Sequence, residues 1–243
     1  MKRNLLLISN STMAGEVYLG WCKELITNFL KKFNIYEVLF IPYAGVNLDS
    51  KSIEFSYNAY ESKVQRVFDT DNIYINSIHH YSDPTNAVLN AKCIMVGGGN
   101  TFHLVYELYK NNLMTTIREK SLCGIPYIGW SAGANLACPT IKTTNDMPIV
   151  FPKSFDALNL IDFQINPHYI DHNPADHGGE TREQRILEFL VVNKDMKVLG
   201  LREGTYLEIY NDNMWLKGDK PARLFQFNTE PREIKPGENM III

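Results

Sequence analysis

The sequence predicts an α/β protein built on a mostly parallel, doubly wound sheet, and three observations carry that reading. Short continuous apolar runs recur along the chain, at Leu5–Ile8, Val38–Ile41, Cys93–Val96 and Gly124–Ile128. Unbroken apolar runs of this length suit strands buried on both faces. Amphipathic stretches of helical period separate them, the alternation that makes a parallel sheet with helices on either side. Finally, two of the runs lead straight into glycine-rich segments, Gly97-Gly98-Gly99 and Gly129-Trp130-Ser131-Ala132-Gly133. In such sheets binding sites gather at the carboxyl ends of strands.

Taken in order, Leu5–Ile8 is the first strand, followed by turn and cap chemistry at Ser11, Thr12 and Gly15. A helix comes next, with Tyr18, Cys22, Leu25, Ile26, Phe29 and Phe33 on one stripe and Lys23, Glu24 and Lys31 off it. Val38–Ile41 is stopped by Pro42 and Gly45. Tyr57–Phe68 reads as a more polar helix, Ile73–Ile78 as a weakly alternating strand and Pro84–Leu89 as a short helix. Cys93–Val96 runs into the triglycine, and helical stretches follow from Phe102 to Leu113 and on to Lys120. Past residue 145 turns become frequent. Phe163–Ile165 is strand-like, and Thr181–Val192 is a helix opened by a capping box, Thr181-Arg182-Glu183-Gln184. Short strands then occupy Val198–Leu201, Tyr206–Tyr210, Met214–Leu216 and Leu224–Phe227, two of them joined by a hairpin at Asn211-Asp212-Asn213. With no repeat, low-complexity tract or long linker, residues 1–243 are expected to form one domain.

Composition narrows the function. With 243 residues, 45% hydrophobic and 21% charged, the chain can bury a core that needs no staples. A net charge of -3 without a dense Lys/Arg cluster gives no electrostatic reason to expect nucleic acid. Cys22, Cys93, Cys123 and Cys138 show no CxxC or short paired spacing, so buried free thiols are expected rather than a metal or disulfide framework. The apolar run after Met1-Lys2-Arg3-Asn4 is too short for a signal peptide, and no stretch reaches transmembrane length. A soluble, cytoplasmic chain is the expectation.

The second glycine-rich segment is the strongest chemical signal. A serine with glycine two residues to either side, between strand and helix, is the nucleophile-elbow pattern. A serine on a sharp, strained turn needs neighbours without side chains, and the turn points following N–H groups into the space the hydroxyl faces. Such a serine needs a base to take its proton and a third group to orient the base. Six histidines are available: His79 and His80 after a strand, His103 behind the triglycine, His168 in Ile165-Asn166-Pro167-His168, and His172 and His177 in a polar loop. His168 is the best placed, since a strand end followed by proline fixes it. For the orienting carboxylate, Asp146 in Asn145-Asp146-Met147-Pro148 competes with Asp162, Asp171 and Asp176, and spacing alone does not select among them. The triglycine lacks GxGxxG and P-loop spacing, so an oxyanion hole is the more economical use of its N–H groups, together with the N–H of Ala132.

Several long motifs, in order, carry a family resemblance. Val96-Gly-Gly-Gly-Asn-Thr-Phe102, Gly129-Trp-Ser-Ala-Gly-Ala-Asn135, Cys138-Pro-Thr-Ile-Lys-Thr-Thr-Asn-Asp-Met-Pro148 and Ile165-Asn-Pro-His168 closely resemble the peptidase E family. So do Leu7-Ile-Ser-Asn-Ser-Thr12, Phe40-Ile-Pro-Tyr-Ala-Gly45 and Gly179-Glu-Thr-Arg-Glu-Gln-Arg185. These are α-aspartyl dipeptidases, serine peptidases in the group that includes cyanophycinase. The resemblance runs from residue 5 to about residue 205 and is weak in the final strands. It implies a fold akin to the class I glutamine amidotransferase domain, with extra C-terminal strands. It also implies a Ser-His-Asp charge relay of Ser131, His168 and Asp146, oxyanion donors at Gly99 and Ala132, and hydrolysis of dipeptides with an N-terminal aspartate. No cofactor or metal is implied. The expected partners are small Asp-X peptides, with no nucleic acid or membrane, and a homodimer is the candidate assembly.

Aspartate selectivity has a physical candidate in Arg182, which follows the cap of the Thr181 helix. A helix N-terminus and a guanidinium together suit a carboxylate. The resemblance points to the same arginine. Arg185 competes, and the plain alternative is a surface ion pair of Arg182 with Glu180 or Glu183. Two other functions share parts of the pattern: a general serine esterase of α/β-hydrolase type, and a non-hydrolytic amidotransferase-like binding protein.

Overall fold

Side-chain parity along the strands divides the interior into two cores. In β1 (Asn4–Ile8), Leu5 and Leu7 pack into one and Leu6 and Ile8 into the other, so the strand is buried on both faces. The computed structural model describes residues 2–173 and 178–240. Four further strands lie parallel around β1: β2 (Glu37–Ile41), β3 (Tyr74–Ser77), β4 (Ile94–Val96) and β5 (Tyr127–Trp130). Then β8 (Thr205–Tyr210) and β9 (Asn213–Gly218) extend the same sheet antiparallel, giving the order β3-β2-β4-β5-β1-β8-β9.

The chain winds outward from β1 through β2 to β3, then returns through β4 and β5. Helices α1 (Lys23–Lys32) and α2 (Ile53–Phe68) cover one face through Ile26, Phe29, Tyr60 and Val64. On the other face lie α3 (Pro84–Asn90), α4 (Thr101–Lys110), α5 (Met114–Leu122) and the short α6 (Ala132–Leu136). The doubly wound α/β expectation therefore holds. A second sheet, in the order β11-β10-β7-β6, packs its Ile165, Leu199, Leu201 and Leu224 into the core on that second face. It comprises β6 (Gln164–Tyr169), β7 (Lys197–Arg202), β10 (Ala222–Gln226) and β11 (Thr229–Ile234), with α7 (Arg182–Val192) against it through Ile186 and Leu190.

Three local departures have physical causes. The first helix starts at Lys23 rather than near Tyr18, because Leu19 adopts φ 57° and a 3-10 turn occupies Gly20–Cys22. Tyr18 is thereby freed from the helix stripe. The expected hairpin is present, with Asn211 at φ 55° and Tyr210 opposite Asn213. The last strand, β11, escapes the apolar pattern because it is a mostly exposed edge carrying Glu230, Pro231, Arg232 and Glu233. Of the four cysteines, Cys22, Cys93 and Cys138 are buried free thiols. Cys123 is exposed and bridges to Lys2 at the amino ends of β5 and β1. Among the described residues no helix is long and apolar enough to cross a membrane.

The glycines of the elbow are required by close approach. A Cβ on Gly129 would stand 2.3 Å from the Gly133 carbonyl oxygen, and one on Gly133 would stand 2.3 Å from that of Val96. The turn after β5 thus folds directly over the end of β4. Gly129→Ala is expected to destabilise the fold by about 1–3 kcal/mol, the usual cost of overpacking. A lower urea midpoint at unchanged m-value would show it, and an unchanged midpoint would mean that the turn yields freely.

Candidate active site

Ser131 sits at φ 53°, ψ -111°, a strained conformation for a residue with a side chain. The strain is held by the Ser131 N–H donating to Ile8 O at 3.0 Å and by Ala134 and Asn135 donating back to Ser131 O. Its hydroxyl leaves the carboxyl end of the sheet and meets His168 from the second sheet, with Oγ to Nε2 at 2.8 Å. His168 is itself at φ 53°, where the β6–β7 register slips between Pro167 and Tyr169. Such a bulge turns a side chain out of its strand's regular alternation. A strand-borne histidine is in this way aimed at a serine on another sheet.

The other ring nitrogen settles the tautomer chemistry. His168 Nδ1 lies 2.7 Å from Glu203 Oε1. With the carboxylate ionised, Nδ1 carries the proton and donates it, which leaves Nε2 to accept from the serine hydroxyl. Glu203 is held by its position between β7 and β8, where Gly204 at φ 83° turns the chain from one sheet to the other. The Gly204 N–H donates to Asn10 Oδ1 at 2.9 Å. Ser9 completes the assembly: its hydroxyl accepts from the His168 N–H at 3.0 Å and donates to Leu201 O at 2.7 Å. Ser9 and Asn10 are fully buried, so these bonds face no competition from solvent.

The carboxylate bonded to His168 is therefore Glu203 and not the expected Asp146. Asp146 Oδ2 is committed elsewhere, accepting from the backbone N–H and the hydroxyl of Thr101 and from the Thr144 hydroxyl. It anchors the 143–148 turn to the N-terminus of α4, a favourable place for an anion. A search confined to aspartates misses Glu203. Its signal is position: Glu203-Gly204 stands one residue past the apolar run Val198–Leu201, at a strand's carboxyl end. Of the competing aspartates, Asp162 is exposed, and Asp171 pairs with Arg202, which holds its carboxyl below the usual range. Asp176 and His177 lie outside the described residues. His79 and His80 meet Ser77, Asn58 and Glu61 beyond β3, and His103 Nδ1 meets Tyr43 O. His172 is exposed.

Ser131 and His168 open into a cavity of about 410 Å³ walled by Ala44–Leu48, Gly98–Asn100, Tyr18 and Tyr60. Gly98 is packed against the serine, since a Cβ there would stand 2.9 Å from Ser131 Cβ. Gly99 lines the same cavity at φ 132°. Ala132 is the first residue of α6, so its N–H belongs to the free end donors of that helix. Of the two sequence-predicted oxyanion donors, Gly99 thus lines the serine's cavity and Ala132 follows the serine in the chain.

Arg182 lines a neighbouring cavity of about 150 Å³ with Asp146, Asn145, Asn166 and Arg185. Among the described residues the two cavities share no lining residue, but Asn100 and His168 of the first adjoin in sequence Thr101, which binds Asp146, and Pro167, which accepts from Asn145. The surface ion pairs set against an anion-binding role for Arg182 are absent among the described residues. Glu183 pairs with Arg223 and Glu180 with Arg185. Burial first, and then Arg185, pull the Arg182 guanidinium below its usual value, with Asp146 acting in the opposite sense. The capping box at Thr181 and Gln184 is formed on both sides, which fixes the helix start beneath this arginine.

Comparison with known proteins gives a consistent answer. The family model for peptidase family S51 matches residues 5–217. A peptidase E of Nostoc sp. (strain PCC 7120) is 46% identical over 240 residues, covering 99% of this chain and 96% of that protein. A peptidase E of Streptomyces coelicolor is 42% identical over 238 residues, covering 98% and 93% respectively. Among solved structures, a peptidase from an acI-B1 Actinobacterium superposes with a TM-score of 0.68 at 18% identity, covering 99% of this chain and 97% of that one. That last likeness speaks for the fold alone.

Ser9 carries a prediction of its own. Ser9→Ala leaves the His168 N–H and the Leu201 carbonyl without their partner, and each buried polar group so stranded costs about 1–3 kcal/mol. Chemical unfolding of Ser9→Ala should show a loss of that size, whereas a variant as stable as the parent would mean that the two sheets do not depend on this hydroxyl.

Proposed function

The chain belongs to peptidase family S51, and on that premise we propose that it is a serine dipeptidase that hydrolyses Asp-X dipeptides through an acyl-enzyme. The observation that carries the proposal is the continuous contact Ser131–His168–Glu203, at 2.8 and 2.7 Å, at the mouth of a cavity of substrate size. Ser131 Oγ attacks the carbonyl of the N-terminal residue as His168 Nε2 takes its proton. The N–H groups of Gly99 and Ala132 receive the oxyanion of the tetrahedral intermediate. His168, now an imidazolium stabilised by Glu203, gives its proton to the departing amine. Water then enters, His168 acts as base again, and the acyl-enzyme is released as free aspartate. The relay is Ser-His-Glu rather than Ser-His-Asp.

Specificity for aspartate rests on Arg182. Its guanidinium has no ion pair among the described residues, stands at a helix N-terminus and is drawn below its ordinary value by burial, so a carboxylate entering beside it gains charge-assisted bonds. Asp146 takes a new role in this reading. Among the described residues it is the one carboxylate lining Arg182's cavity, and its Oδ1 accepts no bond. That oxygen is available to the free α-amino group that a dipeptidase must recognise. Membership of a peptidase family sets aside the α/β-hydrolase esterase, and the non-hydrolytic alternative is met by the first test below.

With Asp-Leu as substrate, Ser131→Ala should abolish turnover, and Glu203→Gln should lower kcat by roughly 10²–10⁴-fold, as loss of an orienting carboxylate does elsewhere. Asp146→Asn should act chiefly on KM. Turnover retained in Ser131→Ala would remove the nucleophile assignment, and a kcat loss in Asp146→Asn as large as that of Glu203→Gln would return the orienting role to Asp146. A dipeptide panel with Asp, Asn, Glu or Ala first tests specificity. Arg182→Ala should cost about 10²-fold in kcat/KM on Asp-Leu and much less on Ala-Leu, in keeping with loss of a charged hydrogen-bonded pair. Equal losses on both would show that the aspartyl side chain is read elsewhere.

A further inference from the structure

A dipeptide of the form Asp-X carries two carboxylates, the aspartyl side chain and the C-terminus. The second stands one residue beyond the scissile carbonyl, which places it about 3.3–3.6 Å further along an extended chain. Arg182 answers the first in the reading above. Among the described residues, the cavity that Ser131 and His168 open into holds one Lys or Arg side chain, Lys63 from α2, and no Asp or Glu lines it. In that reading a substrate with two carboxylates faces two cavities that hold one such cation, Lys63, in the first and Arg182 in the second.

Lys63 is built into that wall rather than trailing in solvent. Its side chain is half-buried, and Nζ lies 3.9 Å from the centroid of the Tyr18 ring. The Tyr18 hydroxyl donates to Tyr60 Oη at 3.1 Å, and the Tyr60 hydroxyl donates to Gly98 O at 2.9 Å. The Trp130 N–H also donates to Tyr60 Oη, at 3.2 Å. A hydrogen-bonded wall therefore runs from the residues flanking Ser131 to the ring beneath the ammonium. Among the described residues Nζ has no carboxylate partner and makes no hydrogen bond, although Glu54 and Glu61 lie on the same helix. Tyr18 is fixed in this position by the same left-handed Leu19 that delays the start of α1.

We propose that Lys63 binds the C-terminal carboxylate of the dipeptide and so restricts the enzyme to substrates that end one residue after the cleaved bond. The assignment rests on the aspartyl-dipeptidase reading. Burial and the nearby Arg66 both disfavour the charged ammonium of Lys63, and an anion in the cavity would offset both. A longer peptide would set a neutral amide against the ammonium, leaving a partly desolvated charge without its counterion. Selection against longer chains thus comes from an unmet charge rather than from a steric block. A lysine suits the task better than an arginine fork, because a point charge on a flexible stem follows the carboxylate as the X side chain varies.

The test compares Asp-Leu with Asp-Leu amide, which differ only in the terminal charge, on the wild type, Lys63→Met and Lys63→Arg. The wild type should prefer the acid by about tenfold in kcat/KM, the scale of one charge-assisted hydrogen bond. In Lys63→Met that ratio should fall towards one, through a raised KM for the acid. Lys63→Arg should restore most of it, which a general loss of folding would not allow. If Lys63→Met cleaves both peptides with the wild-type acid-to-amide ratio, or loses both equally, the ammonium does not read the C-terminus and the proposal is overturned alone. A wild type that cleaves neither peptide overturns the aspartyl reading and this proposal with it.

Discussion

Everything in the site depends on a seam. The serine belongs to the seven-stranded sheet, the histidine to the four-stranded one, and the glutamate to the two-residue link between them. Contacts of 2.8 and 2.7 Å across such a seam require the two sheets to be registered to a fraction of an ångström. The Ser9 hydroxyl provides that registration by bonding both β6 and β7 at once from the end of β1, while Asn10 holds the link at Gly204. The apolar contacts around it join the sheets but do not set their register, since hydrophobic packing is not directional. Three short polar bonds do what the large core leaves undone.

The strained backbone at both reacting residues belongs to the same design. Ser131 and His168 each sit at φ 53°, where a residue with a Cβ is disfavoured. On a regular strand His168 would point along the alternation of β6, and on a regular helix start Ser131 would face its own helix. The two departures from regular geometry turn the side chains towards each other. They persist because the surroundings overdetermine them: a parallel ladder on one side of Ser131, and the Ser9 bond at the backbone of His168.

Much of this was legible in the residues, for reasons that can be stated element by element. Strands buried on both faces write themselves as apolar runs, so β1, β2, β4 and β5 stand out, and the glycines of the elbow are forced because a Cβ there would stand 2.3 Å from a carbonyl oxygen. The capping box at Thr181 is a local motif and is found where the motif places it. Glu203 and the true partner of Asp146 are another matter, because both depend on which strand ends meet across the seam. The spacing of Asp146 from Ser131 is compatible with a relay, and only the Thr101 bonds show that its carboxylate is spent on α4. The edge strand β11 was hidden because an exposed edge keeps its charges and its proline. Local chemistry is readable in one dimension, whereas pairing between sheets is not.

The parallel sheet also gives the molecule a working end and an idle one. Every loop that touches the cavity leaves a strand at its carboxyl end, or faces it from across the seam. Cys123 lies at the opposite end, beside the entry to β1 and β5, and is the one exposed thiol of four, the others being sealed in the core. The wild-type chain therefore carries a unique attachment point remote from its chemistry. A dye, a tether or a solid support coupled through that sulfur would present every molecule in one orientation, cavity outward, without any cysteine having to be engineered in or out.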